Sequence, residues 1–387
     1  FCACNKRITK NHKVEDPYIR SVLKEWEMYR SLLPSVPVIR EIHLGGGTPT
    51  FFSPENLHTL ITGITAGAQV ATEHEFSIEV HPNYTTEAHL EVLAALGFNR
   101  ISVGVQDFDG KVQRAINRIQ SVEKTKEVAD WARKHGYTSI NVDLVYGLPH
   151  QTIQSIEHSI NAIRSFLPDR IAFYSYAHVP WKSKGQRHYT EADLPAASVK
   201  WQMYHSGRQL LEAAGFKSIG MDHFALENDR LFTAARQGGL HRNFMGYTTT
   251  RSRLIIGLGV SAISDAWHAF AQNSKIVEDY EDKINRGLFP LENGHLLTEE
   301  DLILRKNILE LMCRHETVLP GEKLSGEFLK AAFLRLGELE TDGLVEIKGK
   351  QVSVTPAGSS FIRNISAALD ARLWRGQLST NAFSKAI

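Results

Sequence analysis

The stretch Val38-Ile-Arg-Glu-Ile-His-Leu-Gly-Gly-Gly-Thr-Pro-Thr50 joins a hydrophobic strand directly to a run of three glycines. Because glycine has no side chain, the backbone of such a turn can approach a ligand closely, although an isolated glycine run is more often a plain tight turn. Ser53-Pro54-Glu55 then opens a helix with a side-chain cap followed by proline in the first turn. The stretch therefore predicts a strand, a turn that can contact a ligand, and a helix.

The alternation of strand and helix continues on both sides of this stretch. A helix is predicted before it, over 16–33, and strand-like runs follow it at 75–80, 99–105, 139–145 and 170–176. Helical patterns lie between and after these runs, around 85–96, 109–135, 152–166 and 191–214. Strands that alternate with helices at this spacing indicate parallel β pairing, in either an open doubly wound sheet or a barrel.

Polar residues follow the predicted strands at one end. Glu79, Gln106, Asp143 and the pair Ala177-His178 each lie at or just past the C-terminal end of a successive strand. In an α/β barrel this edge is where ligand-binding groups converge from several strands. The alternative interpretation is that these residues are ordinary strand-end caps and turn residues.

Size and composition are typical of a soluble globular protein larger than one average domain. The chain has 387 residues, of which 42% are apolar and 22% charged. The net charge of +1 does not favour nucleic acid or an anionic membrane as the main partner, and no apolar run approaches the roughly 20 residues that span a bilayer. Cys2, Cys4 and Cys313 do not make a disulfide framework, which favours a reducing cytoplasm.

Two of the cysteines lie together in Phe1-Cys2-Ala3-Cys4. Thiolates are preferred ligands of iron–sulfur clusters and zinc, but Cys-x-Cys alone is weak evidence for a ligand pair. Together with the helix and strand that lead into Gly-Gly-Gly-Thr-Pro, however, the sequence strongly resembles a radical S-adenosylmethionine (SAM) enzyme of the oxygen-independent coproporphyrinogen III oxidase family. The resemblance spans essentially the whole chain. It implies an α/β fold in which a partial TIM-type (β/α) barrel carries a small C-terminal winged-helix-like α+β domain.

The resemblance assigns the cysteines to a cluster motif. In the family, C-x-x-x-C-x-F-C-x-C follows the first barrel strand, and Phe1-Cys2-Ala3-Cys4 resembles its last four positions. Cys2 matches the third ligand of a [4Fe–4S] cluster, whereas Cys4 matches a cysteine that the family does not use as a ligand. The first two ligands have no counterpart here. We therefore expect that the chain has lost its N-terminal segment, or that the sequence covers only its ordered part, and that it cannot hold the cluster with three cysteines of its own.

The resemblance also implies the residues that bind SAM. Glu79, Gln106 and Asp143 can accept hydrogen bonds from ribose hydroxyls or an amino group, and the planar fork of Arg118 can pair with a carboxylate. A plain surface arginine is the alternative for Arg118. The family places two SAM molecules in one site, and the number of matched positions is compatible with two. The positions implied as SAM contacts are Phe1, Gly46, Gly47, Thr48, Glu79, Gln106, Arg118, Asp143, Ala177 and Ile263.

The reaction implied by the resemblance is the oxidative decarboxylation of two propionates of coproporphyrinogen III to vinyl groups, which gives protoporphyrinogen IX in anaerobic haem biosynthesis. A reduced cluster splits SAM, and the resulting radical takes a hydrogen atom from the propionate before carbon dioxide and one electron are lost. The implied partners are coproporphyrinogen III and a reducing, flavodoxin- or ferredoxin-like electron donor. We expect a cytoplasmic monomer without nucleic-acid or membrane partners.

Other functions within the same superfamily remain as alternatives. A haem chaperone shares the barrel and the glycine turn, but typically lacks the cysteine at the position of Cys4 and the segment Arg-Asn-Phe-x-Gly-Tyr-Thr-Thr, both of which are present here. A SAM-dependent haem-degrading methyltransferase is a second alternative. A third is a barrel whose site is inert because two cluster ligands are absent.

The substrate carboxylates should need cations nearby. Lys182, Arg242 and Arg251 are candidates by position only, and each is at least as well explained as a solvated surface charge. Met245 stands where the family pattern leads us to expect glutamine, which leaves one local contact in doubt.

The sequence predicts three parts: a barrel over 1–214, a segment over 215–297 that completes and covers the site, and a C-terminal domain over 298–387. The last part opens with a capping box, Thr298-Glu-Glu-Asp301, and continues with a helix near 324–342 and a hairpin over 344–354. This order is typical of a winged helix. Because it carries as many acidic as basic residues, we interpret it as a lid or packing domain and not as a DNA-binding domain.

Overall fold

The computed structural model describes Cys2, residues 4–321 and residues 324–376. Its α-helices are α1 (Glu15–Leu32), α2 (Pro54–Thr65), α3 (Glu87–Ala95), α4 (Gly110–Ala115), α5 (Val122–Lys134), α6 (Ile153–Ile163), α7 (Ala197–Ala213), α8 (Arg230–Arg236), α9 (Val277–Asn285), α10 (Glu299–Arg314), α11 (Gly326–Thr341), α12 (Ile362–Ala367) and α13 (Ala371–Trp374). Its strands are β1 (Val38–Leu44), β2 (Gln69–Val80), β3 (Phe98–Gln106), β4 (Ser139–Tyr146), β5 (Arg170–Ser175), β6 (Lys217–Gly220), β7 (His223–Ala225), β8 (His241–Asn243), β9 (Gly246–Thr248), β10 (Ile263–Asp265), β11 (Ala269–Asn273), β12 (Leu291–Leu296), β13 (Glu316–Val318), β14 (Val345–Lys348) and β15 (Gln351–Val354).

Strands β1 to β5 form a parallel sheet in chain order, and helices connect each strand to the next. Parallel neighbours need such crossover connections, because the chain must return to the starting edge of the sheet before the next strand begins. The sheet curls into a half-barrel, which confirms the predicted α/β fold class with a partial (β/α) barrel.

The two faces of this sheet differ in polarity, because successive side chains of a strand point to opposite faces. In β2 the apolar residues Phe76, Ile78 and Val80 are buried. They alternate with Glu75, Ser77 and Glu79, which form hydrogen bonds or ion pairs with polar side chains of neighbouring strands. The barrel therefore has an apolar face and an opposite face of polar and charged side chains.

The helix predicted over 109–135 is interrupted, so this prediction was wrong in its middle. It divides into α4 and α5, because Asn117 adopts a left-handed backbone conformation with φ 51°. Ser121 then starts a new helix by accepting a hydrogen bond from the amide of Lys124. The other predicted helices and strands of the barrel are present, with ends that differ by a few residues and with β2 starting earlier, at Gln69.

The chain divides into two compact units. One comprises residues 1–210 and 252–295, and contains the parallel sheet, α9 and a small sheet of β10, β11 and β12. In this unit Ile19 and Val22 of α1 pack with Tyr280 and Ile284 of α9 in an apolar cluster. The described helices of the chain are too short or too polar to cross a membrane.

The second unit comprises residues 211–251 and 296–387. Its helix α10 starts at the predicted capping box, in which Thr298 and Asp301 satisfy each other's backbone amides. The predicted hairpin is formed by β14 and β15, and the short strand β13, which the sequence did not predict, pairs with β15. Helices and hairpin share one apolar core, as expected for a winged-helix-like module. The three-part domain division stays a prediction, since compactness does not show which segments fold independently.

Candidate active site

The glycine turn after β1 exposes its backbone. Gly46 and Gly47 have φ angles of 77° and 58°, and a side chain at either position would meet no atom within 4 Å. Positive φ angles of this kind favour glycine. The amide of Gly46 points toward the sheet and donates a hydrogen bond of 3.2 Å to Glu79 Oε2. The turn therefore leaves open space in front of a backbone that only glycine adopts readily.

Glu79, near the end of β2, is held by two groups. Besides the Gly46 amide, its Oε1 lies 3.4 Å from Nε2 of His43, whose other ring nitrogen hydrogen-bonds to Ser77 Oγ at 2.9 Å. Burial acts to raise the pKa of Glu79, but the hydrogen bond and charge of His43 and the Gly46 amide outweigh it, so the pKa is lowered. Because its pKa is lowered, the carboxylate is ionised at neutral pH, and since 47% of its side chain is exposed, it is accessible to a ligand.

Asp143 lies in the middle of β4 and not at its end, so the predicted strand-end position was wrong. Its register partner on β3 is Gly104, and its two oxygens accept hydrogen bonds from Asn141 (2.8 Å) and Ser102 (3.2 Å). Burial, together with the negative charge of Glu79, raises the pKa of Asp143 to about 6. Asp143 therefore lies close enough to Glu79 for the two carboxylates to repel each other.

Gln106, the last residue of β3, has an unusual backbone. Its φ is 71°, and the pairing register between β3 and β4 shifts between Gly104 and Gln106. A positive φ is uncommon outside glycine and is often found at functional sites. The distorted end of the strand is supported by the buried side chain of Gln120, which donates to the carbonyls of Gly104 (3.2 Å) and Val105 (2.6 Å).

Arg118 reaches the same part of β3 from the loop after α4. Its Nη2 donates to the Gly104 carbonyl at 2.6 Å, while its buried Nε has no hydrogen-bond partner within the described chain. Burial lowers the pKa of Arg118, although the negative charges of Asp143 and Cys2 act in the opposite direction. The charge of Arg118 also contributes, after burial, to lowering the pKa of His81 to about 4. A cation with a buried donor that lacks a partner in the described chain thus lies near Asp143.

The two N-terminal cysteines lie near Arg118 and Glu79. Their Sγ atoms are 2.9 Å apart, and Cys2 is fixed by a hydrogen bond from Ser183 Oγ to its carbonyl. The hydrogen bond with Cys4 lowers the pKa of Cys2 to about 6 and raises that of Cys4. Because Cys4 interacts electrostatically with Glu79, the thiols face the same polar group as the glycine turn.

Some of the predicted SAM positions lie on other elements. Ala177 follows β5, and its carbonyl accepts a hydrogen bond from Gln186 at 3.1 Å. Ile263 begins β10 in the small sheet of the same unit. Phe1 lies outside the described residues. The structure therefore brings together Cys2, Gly46, Glu79, Gln106, Arg118 and Asp143.

The cations suggested for substrate carboxylates are less distinctive. Lys182 is exposed. Arg242 lies over the ring of Tyr247 at 4.7 Å and acts electrostatically on Asp222, and Arg251 donates to the Gly238 carbonyl. The structure thus gives both arginines protein partners.

Sequence reasoning missed the residues that support the site. His43, Ser102 and Asn141 contact the predicted carboxylates directly. The available signal was the spacing, because polar side chains occupy alternate positions of strands whose other face is apolar.

The polar group fits SAM but gives only part of a cluster site. SAM carries an amino group, a carboxylate and ribose hydroxyls, for which the structure offers the ionised Glu79, the spare donor of Arg118 and the open glycine turn. Within the described residues, no three His, Cys, Asp or Glu side chains are arranged to hold a metal ion. Of the matched cluster ligands, the described chain supplies Cys2.

Comparisons with known proteins agree with this architecture. The family model of the radical SAM superfamily matches residues 1–163. An oxygen-independent coproporphyrinogen III oxidase from Synechocystis sp. is 37% identical over all of this chain and 85% of the relative, and one from Helicobacter pylori is 36% identical over 97% and 84%. The solved coproporphyrinogen III oxidase from Escherichia coli, described as a radical SAM enzyme, has a TM-score of 0.91 at 36% identity and covers 96% of this chain and 86% of its own. On this evidence, the chain belongs to the oxygen-independent coproporphyrinogen III oxidase family of the radical SAM superfamily.

Proposed function

We propose that this protein is an oxidoreductase that converts two propionate side chains of coproporphyrinogen III into vinyl groups, giving protoporphyrinogen IX without oxygen. Each propionate loses one hydrogen atom, one electron and one molecule of carbon dioxide. Family membership implies that the cofactors are a [4Fe–4S] cluster and SAM. When bound, these cofactors supply the one-electron chemistry that removes the hydrogen atom.

The main support for the proposal is the group of side chains on the polar face of the half-barrel. In a chain 37% identical to named oxidases of this type, a thiol, an open glycine turn, two carboxylates and a buried arginine converge at one polar face of a parallel half-barrel. At the carboxyl edge of such strands, groups from several strands can contact one ligand at the same time.

The roles that we assign follow from charge and hydrogen-bonding capacity. Arg118 pairs with the carboxylate of SAM through its planar guanidinium fork, whose Nη2 donates to the Gly104 carbonyl in the free protein and whose buried Nε has no partner within the described chain. Glu79 accepts hydrogen bonds from an amino group or from ribose hydroxyls, and Gln106 can donate as well as accept. Asp143, with a pKa of about 6, is mostly ionised at neutral pH and also accepts. Gly46, Gly47 and Thr48 contribute backbone contacts.

The remaining assignments rest on the family resemblance. We assign Ala177, Ile263 and Phe1 to SAM contacts and Cys2 to the cluster, and we propose that two SAM molecules bind. The electron donor is a reducing protein of the flavodoxin or ferredoxin type, and the enzyme acts as a monomer. The free state of all three cysteines is consistent with a reducing cytoplasm.

The test is an anaerobic product analysis. Full-length, cluster-loaded protein is incubated with coproporphyrinogen III, SAM and a reductant, and vinyl-bearing porphyrin and released carbon dioxide are measured. Both products are expected only when SAM and reductant are present. Tight stoichiometric haem binding without either product would overturn the proposal and favour a haem chaperone.

A further inference from the structure

A buried carboxylate on α1 plays no part in the site described so far. Glu25 has 0% of its surface exposed, and burial raises its pKa. Each of its oxygens is nevertheless occupied by neutral donors. These donors are the amide of Gly259 at 2.8 Å, the hydroxyl of Tyr280 at 2.7 Å and Nδ2 of Asn273 at 2.6 Å.

The Gly259 amide belongs to a segment, here called loop 257–263, that ends at Ile263, the first residue of β10. A second side chain of α1 holds the same loop, because the hydroxyl of Tyr18 accepts a hydrogen bond of 3.0 Å from the amide of Val260. The approach is close: Gly259 has φ 94°, and a side chain there would come within 2.6 Å of Tyr18 Oη. Two consecutive backbone amides of the loop are therefore fixed by α1.

The donors around Glu25 require a group that only accepts hydrogen bonds. In a Glu25→Gln variant, a side-chain amide at the Oε2 position would face the N–H of Gly259. At the Oε1 position it would face Nδ2 of Asn273, and turning the Asn273 amide would break its bond of 2.9 Å to the Gly259 carbonyl. Either orientation leaves a buried donor unsatisfied, which is costly.

Another buried carboxylate of the same helix makes a matched contrast. Glu15 is 1% exposed, and its Oε2 accepts from the Ser53 amide (2.9 Å) and from Asn56 Nδ2 (2.8 Å). Its other oxygen meets Nδ1 of His12, which is itself an acceptor in one neutral tautomer. Glutamine at position 15 can therefore keep all three contacts, whereas glutamine at position 25 cannot.

We propose that Glu25 and Tyr18 are positioning residues that hold loop 257–263 in the conformation in which it contacts SAM. This inference rests on the proposed function, since it assumes that Ile263 contacts SAM. If the loop is released, only a fraction of the protein molecules has the conformation that binds SAM. The apparent affinity for SAM then falls in proportion to that fraction.

The experiment compares Glu25→Gln and Tyr18→Phe with the control Glu15→Gln and the wild type. Full-length, cluster-loaded proteins are assayed anaerobically for SAM binding by equilibrium dialysis, and hydrogen exchange is followed in a peptide that spans 255–265. Loss of one buried hydrogen bond corresponds to a change of about tenfold in an equilibrium constant. We expect Kd for SAM to rise about tenfold in Glu25→Gln and about threefold in Tyr18→Phe, and less than about twofold in Glu15→Gln.

Hydrogen exchange of the loop peptide should accelerate in the first two variants and not in the control. Acceleration with an unchanged Kd, or an unchanged exchange rate in both variants, would overturn the inference. If Glu25→Gln fails to fold, Tyr18→Phe decides alone, because it removes one oxygen and leaves the ring in place. A wild type that binds no SAM would overturn the proposed function and the inference with it, whereas normal wild-type binding with unaffected variants would overturn the inference only.

Discussion

Charged side chains are paired differently toward the two ends of the parallel sheet, and β2 carries an example of each. Glu75 and Glu79 lie four residues apart on the same face of this strand. Glu75 is surrounded by arginines, and its side chain is 15% exposed. Glu79 is bordered by a histidine and a backbone amide, and is 47% exposed.

Near the starts of β3 and β5, which carry Arg100 and Arg170, the charges of the protein neutralise one another. Glu75 pairs with Arg100 at 2.7 Å and with Arg170 at 3.5 Å. Burial alone would raise its pKa, but the two arginines lower it to about 2. This carboxylate therefore stabilises the fold above the pKa of about 4 that it has in the unfolded chain, and the stabilisation is lost as the pH falls toward 2.

Toward the C-terminal end, between Asp143 in the middle of β4 and Glu79 near the end of β2, the charges are incompletely matched. Asp143 and Glu79 repel each other, and Arg118 keeps a donor without a partner in the described chain. In α/β barrels the first kind of arrangement serves stability and the second serves ligand binding. In this sheet, incomplete pairing of charges is a better sign of function than charge itself, since charged residues occur toward both ends.

The largest expected effect is on stability, from Glu75→Ala. Removing one member of a buried ion pair leaves charge uncompensated, so we expect a loss of about 3–5 kcal/mol in the free energy of unfolding, measured by urea denaturation. The exposed Glu91→Ala on α3 is the control, with an expected change below about 0.5 kcal/mol. A loss of less than about 1 kcal/mol for Glu75→Ala would show that this end is not held by its charges.

The second effect is on binding, from Arg118→Gln. Without a charged donor for the SAM carboxylate, Kd should rise roughly 30- to 100-fold, corresponding to about 2–3 kcal/mol, in equilibrium dialysis. The melting temperature should change little, because the arginine's own interactions are only partly satisfied in the free protein. Arg114→Gln, on the exposed side of α4, is the control. Unchanged SAM affinity in Arg118→Gln would contradict the proposal that the incompletely paired Arg118 binds SAM.

The third effect is a pH dependence of opposite sign to that of Glu75. Asp143 ionises at about 6 in the folded protein but near 4 when unfolded, so it destabilises the fold progressively as the pH rises from about 4 to about 6. Asp143→Asn should remove this penalty. The free energy of unfolding of the variant minus that of the wild type should be about 2 kcal/mol larger at pH 8 than at pH 4, as measured by denaturation. Parallel stability curves for the two proteins would contradict the raised pKa.

The sequence predicted the strands, and Glu79 and Gln106 at their ends, because those features are local, whereas it placed Asp143 too near the end of β4. Both ends of strand β1, Val38 and Leu44, were predicted correctly, since the apolar run ends directly at glycines. The contacts among Ser102, Asn141 and Asp143 depend on the register between β3 and β4, which short-range patterns do not contain. The left-handed backbone of Gln106 likewise coincides with the shift in that register. The sequence did not indicate a role for Glu25, because its hydrogen-bond partners lie more than 200 residues away along the chain.

The smallest effect comes from Ser102→Ala, which removes one hydrogen bond to Asp143. We expect a loss of about 0.5–1.5 kcal/mol in the free energy of unfolding and a further rise of the Asp143 pKa, since the hydroxyl stabilises the ionised form. The loss should be larger at pH 8 than at pH 4, because a hydrogen bond to a carboxylate is stronger than one to a neutral acid. Equal losses at both pH values would mean that Ser102 acts by packing alone. The raised pKa of Asp143 would then reflect burial and the charge of Glu79, with no opposing contribution from the Ser102 hydroxyl.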